Sequence, residues 1–249
     1  MTTITALPTL APSNDRKVAN AVTKAAKPQA AMSNTFGLAN GKAYSCVEAT
    51  EYCELICYAG KLENLFTAVG TNMLANYNAL KDASLIEMFD MLNALISVFD
   101  AECDKRGAEK IYRIHWDGDF FNADYIEAWT NIIILYPQVH FWVYTRNAAA
   151  AVALHKARLT NLALYFSGDP VNKPVAEMLN RTYGIRIAFV AETFADSQAA
   201  VKEITGKVGA KCPEQTKQIP LISANGSACS VCRLCVDGKA NISFSRSKK

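Results

Sequence analysis

The chain has 249 residues, of which 51% are hydrophobic and 20% are charged, and its formal net charge is +3 at pH 7. This length and hydrophobic content suffice for one α/β core with appendages or for two small domains. The nearly balanced charge gives no electrostatic signal for nucleic acid, and the longest apolar runs, such as residues 130–136, are too short to cross a membrane.

Residues 1–30 are rich in Thr, Ala, Pro and Lys, and Asp15 is their single acidic residue. Because such a composition buries little apolar surface, we expect a disordered, mobile tail, with a transit peptide as the alternative. No continuous apolar segment typical of a secretory signal is visible. Residues 31–206 are the predicted α/β core with a first cysteine cluster, and residues 207–249 are a predicted cysteine-rich, metal-binding extension.

The first part of the core is predicted to be mainly helical. A short strand and turn over residues 36–42 come first, and apolar residues at helical spacing then predict a helix over residues 62–80. Ser84 and Glu87 have the spacing of a capping box, which predicts the start of a second helix. We expect this second helix to end near Gly107.

After Gly107, strands and helices alternate in four successive units. This alternation predicts parallel strands joined by right-handed helical crossovers. With the strand near Phe36 and a further segment at residues 242–244, we expect five or six strands in an open or partial (β/α) barrel rather than a doubly wound sheet. The predicted strands cover residues 110–116, 139–144, 162–166 and 185–190, and the predicted helices cover residues 123–135, 148–159, 175–183 and 195–204.

Polar residues follow each of these four strands. Turns are commonly polar, but binding loops in parallel sheets gather beyond the carboxyl ends of the strands. The coincidence at four successive strand ends therefore predicts a shared polar pocket. Strand alternation puts His115 on one face with Arg113 and Asp117, as a ligand, a proton donor or a hydrogen-bonded structural histidine. The pocket candidates are His115, Asp117, Asp119, Arg146, Asp169 and Glu192.

Four cysteines near the C-terminus form a set of soft metal ligands: Cys212, Cys229, Cys232 and Cys235. The last three have C-x2-C-x2-C spacing, which matches three ligands of a bacterial ferredoxin, and the Cys-Pro pair at residue 212 matches the last one. Zinc also accepts four cysteines, but more often through two separate C-x2-C pairs. A disulfide knot would need an oxidising compartment. The quartet therefore predicts a metal centre, with a 4Fe-4S cluster favoured over zinc.

Cys46, Cys53 and Cys57 supply three further thiolates just after the first predicted strand. Three ligands on a cubane leave one iron open to a small molecule. Radical S-adenosylmethionine enzymes have a cluster at this position, but with C-x3-C-x2-C spacing, and no Gly-Gly-Glu-type motif follows Gly60 here. The eighth cysteine, Cys103, lies on the apolar face of a predicted helix, where we expect it to be a packing residue.

The sequence Cys53-x3-Cys57-Tyr58-Ala59 resembles the "gene product 88" domain family of bacteriophages. The resemblance also takes in residues 113–121, residues 142–146 and the terminal cysteines, and it spans about residues 34–244. It implies a phage-encoded metal–sulfur protein in the cytoplasm of a bacterial host, and it implies no particular reaction. The similarity to radical S-adenosylmethionine proteins is an analogy of fold and cluster position.

Two classes of function follow from these observations. In one, the iron–sulfur centres are structural or electron-carrying, and the protein acts by interaction with a host or phage protein during infection. In the other, the protein is an enzyme that binds S-adenosylmethionine at the open iron and a small-molecule substrate in the strand-end pocket. A zinc-binding structural protein is a further alternative. Neither class requires nucleic acid or a membrane as a partner.

Overall fold

The computed structural model describes residues 6–19 and 31–246. Seven parallel strands form one sheet that curls into a half-barrel. These strands are β1 (Ala31–Gly37), β2 (Glu109–Asp117), β3 (Val139–Thr145), β4 (Leu162–Gly168), β5 (Arg186–Ala191), β6 (Ala210–Lys211) and β9 (Ile242–Ser245), whereas β7 (Ile222–Ser223) and β8 (Gly226–Ser227) pair as an antiparallel hairpin.

The order of strands in the sheet is β1-β2-β3-β4-β5-β9-β6. The predicted α/β partial barrel is thus confirmed, with more strands than expected because β6, only two residues long, is too short to predict from sequence. The last strand, β9, lies between β5 and β6 and pairs in parallel with both. Two strands of the core sheet, β6 and β9, therefore come from the part of the chain that was predicted to be a C-terminal extension.

Helices connect the strands and follow the apolar periodicity of the sequence. They are α1 (Glu51–Ile56), α2 (Tyr58–Leu65), α3 (Thr67–Leu80), α4 (Leu85–Arg106), α5 (Ala123–Leu135), α6 (Ala148–Lys156), α7 (Lys173–Tyr183), α8 (Phe194–Thr205) and α9 (Ala228–Cys232). The predicted capping box of Ser84 and Glu87 opens α4, and Gly107 ends it in the left-handed conformation. No helix within residues 6–19 and 31–246 is long and apolar enough to span a membrane.

The single helix predicted over residues 62–80 is wrong. Phe66 adopts an extended conformation (φ −121°, ψ 99°) and separates α2 from α3. Its N–H still donates to the carbonyl oxygen of Leu62, so Phe66 closes the last hydrogen bond of α2 before the chain leaves the helix. The apolar spacing continues across the break, and for this reason the sequence pattern alone does not reveal it.

The two faces of the sheet bury different cores. The convex face packs against α4 to α8, where Trp129, Phe141 and Phe166 are fully buried. The concave face packs Trp142 and Tyr165 against the C-terminal segment between β6 and β9. The cysteine-rich segment therefore covers the concave face of the half-barrel.

Residues 6–19 also pack onto the protein, in contrast to the mobile tail expected for residues 1–30. Val18 is fully buried in the concave core, and the Asn76 amide donates to the carbonyl oxygen of Ala11 (3.0 Å) and accepts from its N–H (2.9 Å). Composition averages over a segment, whereas a few apolar anchors and paired backbone groups are enough to hold this one. Residues 1–5 and 20–30 of the same expectation lie outside the described residues.

Candidate functional site

The first cysteine group, Cys46, Cys53 and Cys57, lies beside the carboxyl ends of β2, β3 and β4. The Thr50 side chain caps α1 by accepting a hydrogen bond from the N–H of Cys53 (3.0 Å), and the sulfur of Cys57 caps α2 by accepting from Gly60 (3.3 Å). Burial raises the pKa of all three thiols. The Cys53 thiol raises the pKa of the other two, so the three sulfurs share one neighbourhood.

Asp169 organises the helix that carries Cys53. Its carboxylate is fully buried and accepts hydrogen bonds from the guanidinium of Arg146 and from the hydroxyl of Thr50. The second carboxylate oxygen accepts from the N–H of Val171 (2.8 Å). Because Thr50 caps α1, the Arg146–Asp169 pair connects the ends of β3 and β4 to the first cysteine group, and both oxygens are fully used.

Asp119 joins the turn after β2 to the end of β3. One carboxylate oxygen accepts from the Thr145 hydroxyl (2.6 Å) and from the N–H of Phe120 (2.8 Å), and the other accepts from the N–H of Arg146 (2.7 Å). Burial raises its pKa, although these hydrogen bonds favour the ionised form. Asp119 is therefore a structural anchor of the predicted pocket.

Asp117 differs from Asp119 and Asp169 because it is paired with a second carboxyl group. Its Oδ1 accepts from the N–H of Gly118 (2.9 Å). Burial, followed by a hydrogen bond with the side chain of Glu63, raises the pKa of Asp117 well above its ordinary value. The Asp117 carboxylate in turn raises the pKa of the Cys46 and Cys57 thiols. Asp117 thus lies next to the first cysteine group as one half of a carboxyl pair.

His115 lies outside this pocket. Its Nε2 is 2.9 Å from the hydroxyl oxygen of Tyr125 on the convex side of the sheet. The register of β2 against β1 shifts next to His115, and this shift interrupts the strand alternation. The prediction that His115 shares one face with Arg113 and Asp117 is therefore wrong. Burial lowers the pKa of His115 to about 3, with Arg113 as the second cause. The structure makes it a neutral, hydrogen-bonded histidine.

Glu192 lies at the rim of the site. Its exposed side chain forms an ion pair with Arg246 (2.9 Å). It also faces Tyr52 of α1, the residue before Cys53: burial, followed by Glu192, raises the pKa of Tyr52 to about 12. Glu192 therefore belongs to the outer surroundings of the first cysteine group.

The C-terminal quartet lies on the concave face. Burial, with a smaller contribution from the Cys212 thiol, raises the pKa of Cys229 to about 12 and of Cys235 to about 11. The Cys212 thiol also acts on Cys232, so the four sulfurs share one neighbourhood although the chain separates Cys212 from the others. Arg233 has a left-handed conformation (φ 58°) that ends α9 and turns the chain towards Cys235.

A row of side chains on the concave face lies between the two cysteine groups. The Tyr144 hydroxyl interacts with the thiol of Cys235, and the guanidinium of Arg113 lies 5.1 Å from the centre of the Tyr144 ring. Arg113 also influences the pKa of Tyr58, which follows Cys57 in the chain, and the pKa of Cys229. Arg113, which was not among the predicted site residues, is thus a common neighbour of both groups.

The described cysteines are free thiols, and thiolates are the ligands that zinc and iron–sulfur clusters prefer. As the side chains stand, no three His, Cys, Asp or Glu residues within residues 6–19 and 31–246 are arranged so that they could hold a metal ion. The seven predicted ligands therefore fit a metal in chemical type and in neighbourhood, and the sulfurs would have to turn towards a common point to bind one.

A cleft of about 390 Å³ opens next to the first cysteine group. Thr50 and Arg146 line its inner side, and Lys42 and Asn172 add further polar groups. Of the six pocket candidates, Arg146 borders this space, which is large enough for a small molecule.

Comparison with known proteins identifies the family. The family model described as "Gene product 88" matches residues 8–238. The chain belongs to the gene product 88 family. It is 46% identical over 239 residues to the "Gene 88 protein" of Mycobacterium phage L5, a match that covers 95% of this chain and 98% of the relative. It is 44% identical over 240 residues to the "Gene 88 protein" of Mycobacterium phage D29, with the same coverage of 95% and 98%.

The resemblance noted in the sequence is therefore confirmed, and the protein is a phage protein. No solved structure matches the chain. The match to the family model begins at residue 8, so it includes most of the packed N-terminal segment as well as both cysteine groups.

Proposed function

We propose that this gene product 88 protein is an iron–sulfur protein with two cysteine-ligated centres, which acts in the cytoplasm of the infected host as a structural or electron-carrying interaction protein. The observation that carries the proposal is the common neighbourhood of Cys212, Cys229, Cys232 and Cys235, of which Cys212 is buried and the other three are half-buried. Burying thiols from distant parts of the chain together has no packing advantage over ordinary apolar residues, whereas it provides a set of four soft ligands.

The spacing of the quartet favours a 4Fe-4S cluster over zinc, because its C-x2-C-x2-C run matches a ferredoxin and not two zinc knuckles. Cys46, Cys53 and Cys57 would hold the first centre, with the Asp117 carboxyl group beside them. An iron–sulfur centre, when bound, supplies one-electron redox chemistry. Arg113 and Tyr144, which are half-buried, lie between the two centres, and the exposed Tyr58 lies beside the first one.

The cleft beside the first cysteine group favours a second candidate, an enzyme related to the radical S-adenosylmethionine proteins. Three thiolates leave a coordination position for S-adenosylmethionine or another small molecule, and Arg146, Lys42 and Glu48 line the cleft with polar groups that could bind a substrate. A zinc-binding structural protein is the remaining alternative.

Metal and sulfide analysis of protein purified without oxygen tests the main proposal. We expect a brown protein in which iron is accompanied by acid-labile sulfide, with an electron paramagnetic resonance signal after reduction. Cys53→Ser and Cys229→Ser should each remove one of the two centres. Stoichiometric zinc in a colourless protein without sulfide would contradict the iron–sulfur proposal and leave the ligand assignment intact.

A second measurement separates the electron carrier from the enzyme. The same protein is incubated with S-adenosylmethionine and dithionite, and 5′-deoxyadenosine and methionine are quantified. Formation of 5′-deoxyadenosine that disappears in Cys53→Ser but persists in Cys103→Ala would favour the enzyme. Reduction of both centres without cleavage of S-adenosylmethionine would favour the electron carrier.

A further inference from the structure

The N-terminal segment of residues 13–19 lies directly over the C-terminal quartet. The N–H of Cys229 donates to the carbonyl oxygen of Lys17 (3.0 Å), and the carbonyl oxygen of Val18 accepts from the hydroxyls of Ser227 (2.6 Å) and Ser33. The N–H of Ser13 donates to Thr35 in β1 (2.9 Å). Backbone groups of this segment are therefore bonded both to the sheet and to the start of the cysteine helix α9.

The side chain of Lys17 points at the quartet. Its ammonium nitrogen is 3.6 Å from the sulfur of Cys212 and 2.8 Å from a carboxylate oxygen of Glu214, and it lies 5.8 Å from the centre of the Phe244 ring. Only 24% of the side chain is exposed.

A metal centre held by four thiolates carries a net negative charge, whether it is zinc or a 4Fe-4S cluster. Burying such a charge is costly unless a cation compensates it. Hydrogen bonds to the ligand sulfurs and nearby charges also set the reduction potential of an iron–sulfur cluster. Among the groups in contact with the quartet, Lys17 is a flexible cation that reaches a ligand sulfur directly.

We propose that Lys17 is the positioning and charge-balancing residue of the C-terminal metal centre, and that residues 13–19 form part of this centre by closing it from solvent. The inference rests on the proposed function, because it assigns a role towards a metal bound by Cys212, Cys229, Cys232 and Cys235. It adds to the site a segment that lies almost the whole chain length away from the cysteines it contacts.

Charge variants of Lys17 test this role. In a Cys46→Ser, Cys53→Ser, Cys57→Ser background only the C-terminal centre remains, so its midpoint potential and its rate of metal release to a chelator can be measured alone. Lys17→Met should shift the potential to more negative values, because the added electron loses a neighbouring positive charge, and should release metal several-fold faster. Lys17→Arg should stay close to the parent, as should Lys156→Met, which changes an exposed lysine on α6.

Glu214→Gln provides the opposite change. Removing the carboxylate that partly neutralises Lys17 should shift the potential to more positive values, because the lysine charge then acts more strongly on the cluster. A purely structural role of the segment would loosen the site in both variants and would not move the potential in opposite directions. If Lys17→Met does not fold, Lys17→Gln removes the same charge with a polar side chain and provides the comparison.

The outcomes separate this inference from the proposed function. A parent protein that holds metal at the quartet, together with Lys17→Met and Glu214→Gln variants of unchanged potential and release rate, would overturn the role of Lys17 alone. A parent protein that holds no metal at the quartet would overturn the proposed function and the inference with it. If zinc is the metal, the release rates alone carry the comparison, and faster release from Lys17→Met is the expected result.

Discussion

The surroundings of His115 predict a pH-dependent contribution to stability. Burial lowers its pKa to about 3, whereas the unfolded chain has the ordinary value near 6.5. The unfolded state therefore binds more protons between these values, and the stability that His115 contributes is present above pH 6.5 and is lost as the pH falls towards 3. We expect this group to change the free energy of unfolding by up to about 1.4 kcal/mol per pH unit within that window.

Urea unfolding of the protein and of His115→Gln between pH 7 and pH 4 measures this contribution. Gln can still accept or donate a hydrogen bond at Tyr125 but does not titrate, so its unfolding free energy should fall less steeply with decreasing pH. A difference in absolute stability between the two proteins does not affect the comparison, because the slope is the quantity of interest. Equal slopes would show that His115 is accessible to protons in the folded state.

The buried ion pair of Asp169 and Arg146 predicts a large loss of stability when the charge of Asp169 is removed. Asp169→Asn leaves the Arg146 guanidinium, whose side chain is only 11% exposed, without its anionic partner. Breaking one side of a buried ion pair costs about 3–5 kcal/mol, and here the lost contact also releases the Thr50 cap of α1. Chemical unfolding should show this destabilisation, and metal analysis should show loss from the first cysteine group. The exposed Asp90→Asn on α4 is the matched control and should change neither quantity.

At the scale of elements, the C-terminal segment between β6 and β9 depends on its cysteines. It has two short strands, β7 and β8, and one short helix, so its own secondary structure provides little stability. Cys232→Ser should therefore lose the metal of the C-terminal centre and become more sensitive to proteolysis between residues 213 and 227, because metal binding supplies folding free energy.

Limited proteolysis followed by mass spectrometry, together with metal analysis, measures the effect of Cys232→Ser. Cys103→Ala is the control: this cysteine is fully buried on α4 in the convex core, as the sequence predicted, so its removal should keep full metal content and reduce stability by about 1 kcal/mol. Unchanged metal content in Cys232→Ser would remove this residue from the proposed ligand set.

The elements that the sequence predicts well are those with local signals. The bounds of α5 agree with the apolar period, and the capping box of Ser84 and Glu87 is formed as expected. The break at Phe66 and the bulge beside His115 were missed, because each depends on packing against neighbouring elements and leaves the sequence periodicity unchanged. Alternation in β2 consequently assigned His115 to the wrong face.

For the whole molecule, the alternation of strands and helices was sufficient to predict a parallel half-barrel, but the contents of its concave face were not predictable. Lys17 is a charged residue in a polar segment, and its contact with Cys212 joins positions 195 residues apart. Arg113 lies in β2 among aromatic residues of the sequence. It approaches both cysteine groups only because the sheet is curled. Long-range contacts of this kind have no signature in a single sequence.

The position of β9 between β5 and β6 has a consequence for how the protein is made. A ribosome releases β6 long before β9, so the emerging chain has an unpaired edge on β5 and a set of exposed thiols until its final strand arrives. The N-terminal segment also lacks its contact partner until late in synthesis, because the hydrogen bond between Val18 and Ser227 joins residues 209 positions apart. Chains with such distant contacts fold slowly, and this one completes its sheet only after synthesis of the last strand has ended.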